Sequence, residues 1–494
     1  MQQIPASKRV VVIGGGPAGL TAAYELQRRG SDLTPIVFEA GNIVGGIART
    51  ENHKGYRFDI GGHRFFTKVS EVEEVWHEVL GQDFITVPRM SRIYYREKFF
   101  DYPLKMGNAL SNIGVYESAR IVASYLKWQI SPAKPEESFE DWVINRFGGR
   151  LYMHFFRSYT QKVWGIRPNQ IRADWAAQRI KNLSLRKAIW NTISGANDTA
   201  SLIEEFQYPR LGPGMMWEKT ADRIADNGGE VHLKSAVTRV CRDGMRVTSV
   251  DIERWDGNGT RTTETVEGSH FVNTIALRDL VHAFDPLPPD DVVAAANLLR
   301  YRDFLIVTLV LDHADPFPDN WIYVHSPKVK VGRIQNFRAW SAELLPNAET
   351  ASIGMEYFCQ AGDGLWTMTD DDLRDLAASE LEQLGLAKAS TVIDHFVIRQ
   401  PKAYPVYDGD YKDALDVVAG WLKRLENFQT VGRNGLHRYN NQDHSMLTAM
   451  LAARNIMGER HDVWNVNVER SYHEEFEVSK SQTAQAAEPD RAQA

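Results

Sequence analysis

An α/β fold is predicted for this chain by three observations: a buried-strand run near its start, a glycine turn that opens a helix directly after it, and a second apolar run that closes on an acidic residue. Lys8-Arg9-Val10-Val11-Val12-Ile13 reads as the first strand. Gly14-Gly15-Gly16-Pro17-Ala18-Gly19 follows at once, with Gly14, Gly16 and Gly19 at GxGxxG spacing, and Thr21-Ala22-Ala23-Tyr24-Glu25-Leu26 opens the helix. Pro35-Ile36-Val37-Phe38 is the second strand and ends in Glu39. In such a unit the first glycine permits the tight turn, the second lets backbone approach a pyrophosphate, and the third lets helix and strand pack closely. The helix N-terminus adds amide donors and a dipole that favours phosphate. Glu39 stands where a carboxylate accepts bonds from ribose hydroxyls, which favours an unphosphorylated adenosine ribose. The implied ligand is a dinucleotide on a Rossmann-like unit.

Further elements follow in order. Residues 116–130 and 139–156 carry apolar side chains at helical spacing. Glu230-Val231-His232-Leu233, Ala236-Val237-Thr238-Arg239-Val240 and residues 247–253 read as strands, with an Asp256-Gly257-Asn258-Gly259 hairpin signal after them. His270-Phe271-Val272-Asn273-Thr274 is another short buried strand, and residues 304–311 and 352–358 resemble strands of a second sheet. Residues 371–386 read as an amphipathic helix, and Met446, Leu447, Met450 and Leu451 share one face of a last helix over 445–457. The expected organisation is a discontinuous dinucleotide domain (8–105, 206–290, 401–472), a helical insert (106–205), a mixed-sheet substrate domain (291–400) and a disordered tail (473–494).

Composition narrows the function. The chain has 494 residues, 43% of them hydrophobic, enough for real cores, and its net charge of -7 argues against a nucleic-acid footprint. No segment approaches the ~20 apolar residues of a membrane span, and no signal-peptide core precedes the first strand. Cys241 and Cys359 give neither a disulfide framework nor metal-ligand spacing, and are expected to be buried small hydrophobes. No metal site is expected, and a reducing, cytoplasmic setting is the simplest reading.

Val44-Gly45-Gly46-Ile47-Ala48-Arg49-Thr50 and Phe58-Asp59-Ile60-Gly61-Gly62-His63 add two further glycine pairs. With the first fingerprint they resemble the flavin-binding amine-oxidase superfamily, whose G-G-x-x-R motif follows the ribose acid. The resemblance implies FAD, with Arg49 on phosphate and Gly61 and Gly62 near the flavin ring; glycines admit a flat ring, and a guanidinium pairs bidentately with phosphate. The alternative for Arg49 is a surface salt bridge.

Gly61-Gly62-His63-Arg64-Phe65-Phe66, Tyr102-Pro103, Tyr159-Thr160-Gln161-Lys162-Val163-Trp164-Gly165, Trp175-Ala176-Ala177-Gln178-Arg179, Gly332-Arg333, Tyr404-Pro405, Gly432-Arg433-Asn434-Gly435 and Arg438-Tyr439-Asn440-Asn441-Gln442-Asp443-His444-Ser445 fall in one order. That order resembles the UDP-galactopyranose mutases, especially their eukaryotic-type branch. It implies a reduced flavin whose N5 acts as nucleophile on a nucleotide sugar, isomerising pyranose and furanose forms with no net redox change. Arg179 and Arg333 match arginines that clamp the diphosphate, and Tyr404 and Tyr439 match tyrosines that bond it. Structural salt bridges and aromatic packing are the respective alternatives. His63 matches the histidine beside the flavin. Gly432, Arg433, Asn441, Gln442, Asp443 and Ser445 match cofactor-contacting positions before and in the final helix, and Pro17, Ala18, Gly45, Gly46 and Val237 complete the expected cofactor set.

Two other classes compete. An FAD oxidoreductase of the amine oxidase, protoporphyrinogen oxidase or desaturase type predicts an apolar or amine-accepting pocket, whereas paired arginines favour the mutase. A non-catalytic flavoprotein predicts flavin that is bound but never reduced. No residues identify themselves as readers of the nucleotide base; Arg92, Tyr94 and Tyr95 could serve or could form a strand. One dinucleotide fingerprint leaves NAD(P)H, if it charges the flavin, as a transient external reductant.

Overall fold

A computed structural model describes residues 4–102, 106–173, 205–255 and 260–468. Two sheets organise it. The first has five parallel strands in the spatial order Phe428–Thr430, His270–Asn273, Arg9–Ile13, Thr34–Phe38, Glu230–His232. Its central strand pairs Val11 with Ile36 on one side and with Phe271 on the other. A parallel strand covered on both faces reads as a continuous apolar run, and Val10, Val11 and Val12 are fully buried. Helices Pro17–Arg28, Gly214–Asp226 and Gln442–Ile456 share one apolar core with this sheet.

The second sheet has seven strands in the order Val392–Pro405, Tyr301–Leu311, Ala351–Cys359, Arg333–Asn336, Trp321–Val324, Ser91–Tyr95, Lys98–Asp101. All neighbours are antiparallel except Trp321–Val324 against Ser91–Tyr95. Helix Asp370–Gln383 packs on it through Leu373, Ala377 and Leu381. The sequence division puts residues 91–101 with the first dinucleotide segment, but the structure puts them in this sheet. Arg92 is the reason: its guanidinium donates to both oxygens of fully buried Asp319 at 2.8 and 2.5 Å. Arg92, with Phe99 under its guanidinium at 4.1 Å, is thereby engaged in the sheet, and Tyr94 and Tyr95 are buried strand residues. The strand alternative therefore holds for all three.

After Lys98–Asp101 the chain forms helices Val115–Ile130, Phe139–Phe147 and Arg157–Trp164, the last two sharing a core with the seven-stranded sheet. The expected continuous helix over 139–156 breaks at Gly148, which has φ +82° and where a Cβ would lie 2.8 Å from the Cα of Tyr125. Close crossing of the two helices requires the glycine. A π-helical turn, Tyr152–Phe156, then leads into Arg157–Trp164. Cys359 is buried, which pushes its thiol up to about 12, but Cys241 is only half-buried, so the expectation of two buried cysteines holds for one. Among the described residues no helix is long and apolar enough to cross a membrane, and no group of three or more His, Cys, Asp or Glu is placed to hold a metal ion.

Candidate cofactor cleft and anion site

The glycine turn between Arg9–Ile13 and Pro17–Arg28 leaves no room for a side chain at Gly14 or Gly19. Gly14 has φ +102°, and a Cβ there would meet Thr274 Oγ1 at 2.3 Å. One on Gly19 would meet the Gly14 carbonyl at 1.9 Å. Pro17 starts the helix, where its missing N–H is harmless. The second glycine pair closes on the first: Gly45 N donates to Gly15 O at 2.8 Å, and a Cβ on Gly46 would lie 3.3 Å from the Cα of Gly16. Gly432, at φ +82°, seals the far side, where a Cβ would meet that of Ala18 at 2.7 Å. A cradle walled by backbone fits a pyrophosphate at this helix start.

Glu39 accepts from the amides of Gly15 and Gly41, each at 2.7 Å, one on each carboxylate oxygen. Each oxygen keeps a second lone pair for a ribose hydroxyl. Ser235 N bonds the Glu39 carbonyl at 2.9 Å, which brings the strand carrying Val237 to this edge; Val237 itself packs against the core beside a register shift. Arg49 donates to Glu51 at 2.6 Å, to Gln400 at 2.8 Å and to Gly46 O at 2.9 Å. Its bond to Gly46 O holds the second glycine turn, and its ion pair with Glu51 is partly buried rather than on the surface.

The final helix begins at Gln442, earlier than expected, because Asn441 adopts the extended N-cap backbone. Asn441 makes no side-chain cap bond. Gln442 and Asp443 are first-turn residues, not a preceding loop: Gln442 Oε1 accepts from Trp217 Nε1 at 3.0 Å, while Asp443 and Ser445 are buried. The turn's amides therefore take no bond from the Asn441 side chain.

In the seven-stranded sheet, register builds a polar wall. Arg333 lies directly opposite Glu356 on the neighbouring strand. Its Nε and Nη2 donate to one oxygen of fully buried Glu356 at 2.7 and 2.5 Å, and the other oxygen accepts from Gln335 Nε2 at 2.6 Å. Burial raises the Glu356 carboxyl while the Arg333 charge opposes the rise. This wall faces the third glycine pair: a Cβ on Gly61 would lie 3.4 Å from Arg333 Nη2, and one on Gly62 3.6 Å from Gln335 Oε1. His63 is held neutral, lowered to about 3 by desolvation and then by Arg333 and Arg433. Its Nδ1 donates to Gly61 O at 2.9 Å, leaving Nε2 as an acceptor.

Tyr404 and Tyr439 stack with centroids 5.4 Å apart, and Arg433 lies over both rings at 4.9 and 4.4 Å. Arg433 Nη1 donates to Asn440 O at 3.1 Å, while its buried Nε and Nη2 have no hydrogen-bond partner among the described residues. Two buried guanidinium nitrogens left without an acceptor fit a group with acceptor oxygens. Burial raises the Tyr404 hydroxyl, so it stays a donor, and its electrostatic neighbours are Tyr439, Arg333, Glu356 and Arg433. Tyr159 joins them, raised by burial and facing Arg333, Tyr323, Glu356 and Tyr404. The structure thus brings together His63, Arg333, Tyr404, Arg433 and Tyr439. Arg179 lies outside the described residues. Glu356, Gln335 and Tyr323 are additions that sequence reasoning missed.

Behind the third glycine pair, Asp59 is buried with Tyr208 OH and Thr50 Oγ1 donating to it, the latter at 3.1 Å, and burial raises it to about 7. A folded pKa above the unfolded one gives stability that is present in acid and lost as pH rises through about 7. The loss starts above the unfolded carboxyl value of about 4, so Asp59→Asn is expected to melt close to wild type near pH 4 and several degrees higher near pH 8, a gain on the order of 2–4 kcal/mol. Thermal melts at the two pH values check this; equal shifts at both would remove the titration.

The flavin containing amine oxidoreductase family model matches residues 17–408. Protoporphyrinogen oxidase 2, chloroplastic/mitochondrial, of Arabidopsis thaliana is 42% identical over 468 residues, spanning 87% of this chain and 91% of that protein. Coproporphyrinogen III oxidase of Mycobacterium tuberculosis is 23% identical over 422 residues, spanning 82% and 88%. The crystal structure of reduced UDP-galactopyranose mutase superposes with a TM-score of 0.79 at 19% identity, covering 94% of this chain and 98% of that one, and shows the fold to be shared. The protein is a flavoenzyme and belongs to the flavin containing amine oxidoreductase family.

Proposed function

We propose that the protein binds FAD and acts as a UDP-galactopyranose mutase-like enzyme on a nucleotide sugar, without net redox change. The observation that carries this reading is the cluster of Arg333, Arg433, Tyr404 and Tyr439, which Arg333 brings against Gly61: two cations and two hydroxyls suit a diphosphate leaving group. When bound and reduced, the flavin would supply the nucleophile for the anomeric carbon. The protein's own residues do the remainder. Arg333, one edge held by Glu356, offers its free edge to phosphate oxygens; Arg433 offers Nε and Nη2; the Tyr404 hydroxyl donates. Neutral His63 adds no charge of its own beside the glycine pair. NAD(P)H is the proposed external reductant.

The oxidoreductase reading is favoured by one observation, the 42% identity to a protoporphyrinogen oxidase over most of the chain. One experiment separates the two. The holoprotein, reduced anaerobically, is incubated with UDP-galactopyranose, and sugar products and flavin absorbance are followed together. Isomerised sugar with the flavin still reduced is the expected result. No nucleotide-sugar binding, together with turnover of a porphyrinogen, would replace the mutase reading.

A further inference from the structure

Lys162 lies in the Tyr159-Thr160-Gln161-Lys162-Val163-Trp164-Gly165 motif and has no role in the chemistry above. Its ammonium donates to three backbone carbonyls, Val324 at 3.1 Å, Ser326 at 2.8 Å and Val331 at 2.9 Å. An ammonium has three protons, and all three are used. The carbonyls belong to the connection that leads from Trp321–Val324 into Arg333–Asn336. From the other side Glu380, on helix Asp370–Gln383 and 5% exposed, accepts the amides of Lys330 at 2.5 Å and Val331 at 3.0 Å. One connection is therefore held by two opposite charges, a cation on its carbonyls and an anion on its amides. Val331 is gripped at both N and O.

What this connection positions is the anion site. Val331 is followed by Gly332 and Arg333. Gly332 N donates to Glu356 O at 2.8 Å, which continues the strand pairing that faces Arg333 with Glu356. The same connection carries His325, stacked on Tyr159 with centroids 4.2 Å apart and planes 12° apart. Tyr159 lies three residues before Lys162 on one helix, so both meet the connection from one face.

We propose that Lys162 is a positioning residue: its charged ammonium fixes residues 324–331, and through them Arg333 and Tyr159, in the arrangement that grips a diphosphate. The inference rests on the nucleotide-sugar reading for its ligand but not for its geometry. Desolvation lowers Lys162 to about 8, opposed by Glu380. The titratable groups facing it are Glu380 and His325, and His325 is held neutral, lowered to about 3 by burial and by Lys162. As pH rises through about 8 the ammonium loses a proton and the third of its bonds, and the grip should loosen.

The test uses the holoprotein and UDP as the probe, with calorimetric titrations from about pH 7 to about pH 9. Wild-type affinity is expected to fall about tenfold between about pH 7 and about pH 9, as the fraction carrying the charged lysine falls. Lys162→Met should bind UDP at least tenfold more weakly at neutral pH and lose this alkaline fall. Lys162→Arg, which stays charged, should keep affinity within a few-fold and also lose the fall. Hydrogen exchange of residues 324–333 without ligand, corrected for intrinsic rates, should quicken in Lys162→Met while global melting moves little. Wild-type affinity with an unchanged alkaline fall in Lys162→Met would overturn the proposal. If wild type binds no UDP, the nucleotide-sugar reading fails, and exchange alone decides: unchanged protection in Lys162→Met overturns the clamp. If Lys162→Met does not fold, the alkaline fall must still vanish in Lys162→Arg.

Discussion

Gly19→Ala is expected to yield a protein purified with little or no flavin. A Cβ there would stand 1.9 Å from the Gly14 carbonyl, far inside contact distance, and the obstacle is backbone rather than a side chain that could swing away. The first helix must lift from its strand, and the lift occurs where Gly16 and Gly46 approach each other. Overpacking of this kind costs about 1–3 kcal/mol or more, and the displaced helix N-terminus would also stop aiming its amides at the pyrophosphate. Visible absorbance per protein reads the outcome. Gly420→Ala is the control, since Gly420 is inside helix Tyr411–Leu422 with nothing within 4 Å, and it should stabilise by about 0.5–1 kcal/mol. Full flavin content in Gly19→Ala would show that the turn tolerates the shift and that the cradle is not set by this contact.

Arg333→Met should separate cofactor from substrate. The glycine cradle is untouched, so flavin content should match wild type. Affinity for UDP should fall by ~2–5 kcal/mol, the typical loss for a buried charge-assisted contact. The variant also strands Glu356, fully buried with Gln335 as its remaining donor, and removing one partner of such a pair costs about 3–5 kcal/mol. Without the guanidinium the Glu356 carboxyl rises further, so this instability should shrink as pH falls and the acid takes up a proton. Adding Glu356→Gln should restore melting without restoring UDP affinity. If the double variant regained ligand, Arg333 would be a structural cation and the anion site would have to lie elsewhere.

Much of the architecture could be read from local spacing, and the reason is physical. The central parallel strands are short and largely buried and apolar, as in residues 10–13 and 36–38, and glycines such as Gly14 and Gly19 report contacts that admit no side chain. Four strands of the first sheet, the strands Tyr301–Leu311 and Ala351–Cys359 of the second, the helix over Val115–Ile130 and the last helix follow the same logic, whereas short strands such as Trp321–Val324, Arg333–Asn336 and Phe428–Thr430 escape it. What escaped reading depends on register between distant strands. Nothing near Arg333 in the chain announces Glu356, because their meeting is decided by how Arg333–Asn336 aligns with Ala351–Cys359. Arg92 looked available for a ligand until Asp319 closed on it from a strand connection far along the chain. Lys162 could be placed in a motif, but the three carbonyls it bonds come from a loop with no side-chain signature. Arg49 shows the converse: a cofactor-type motif was plain, but its ion pair with Glu51 was only one of two local possibilities.

The five-stranded sheet also governs when this protein can become a protein. Its middle strand, Arg9–Ile13, pairs with residues 34–38 within moments of synthesis, but its other neighbour is His270–Asn273, and that strand's outer partner is Phe428–Thr430. The first helix waits for Gln442–Ile456, which shares its core. At a ribosomal pace of roughly 5–20 residues per second, the N-terminal strand stands half-paired for tens of seconds. During that time a Val-rich edge is exposed to any other chain nearby. The cofactor cradle, first in the sequence, is among the last features to exist, and nascent chains of this protein should depend on chaperones until their closing segment has emerged.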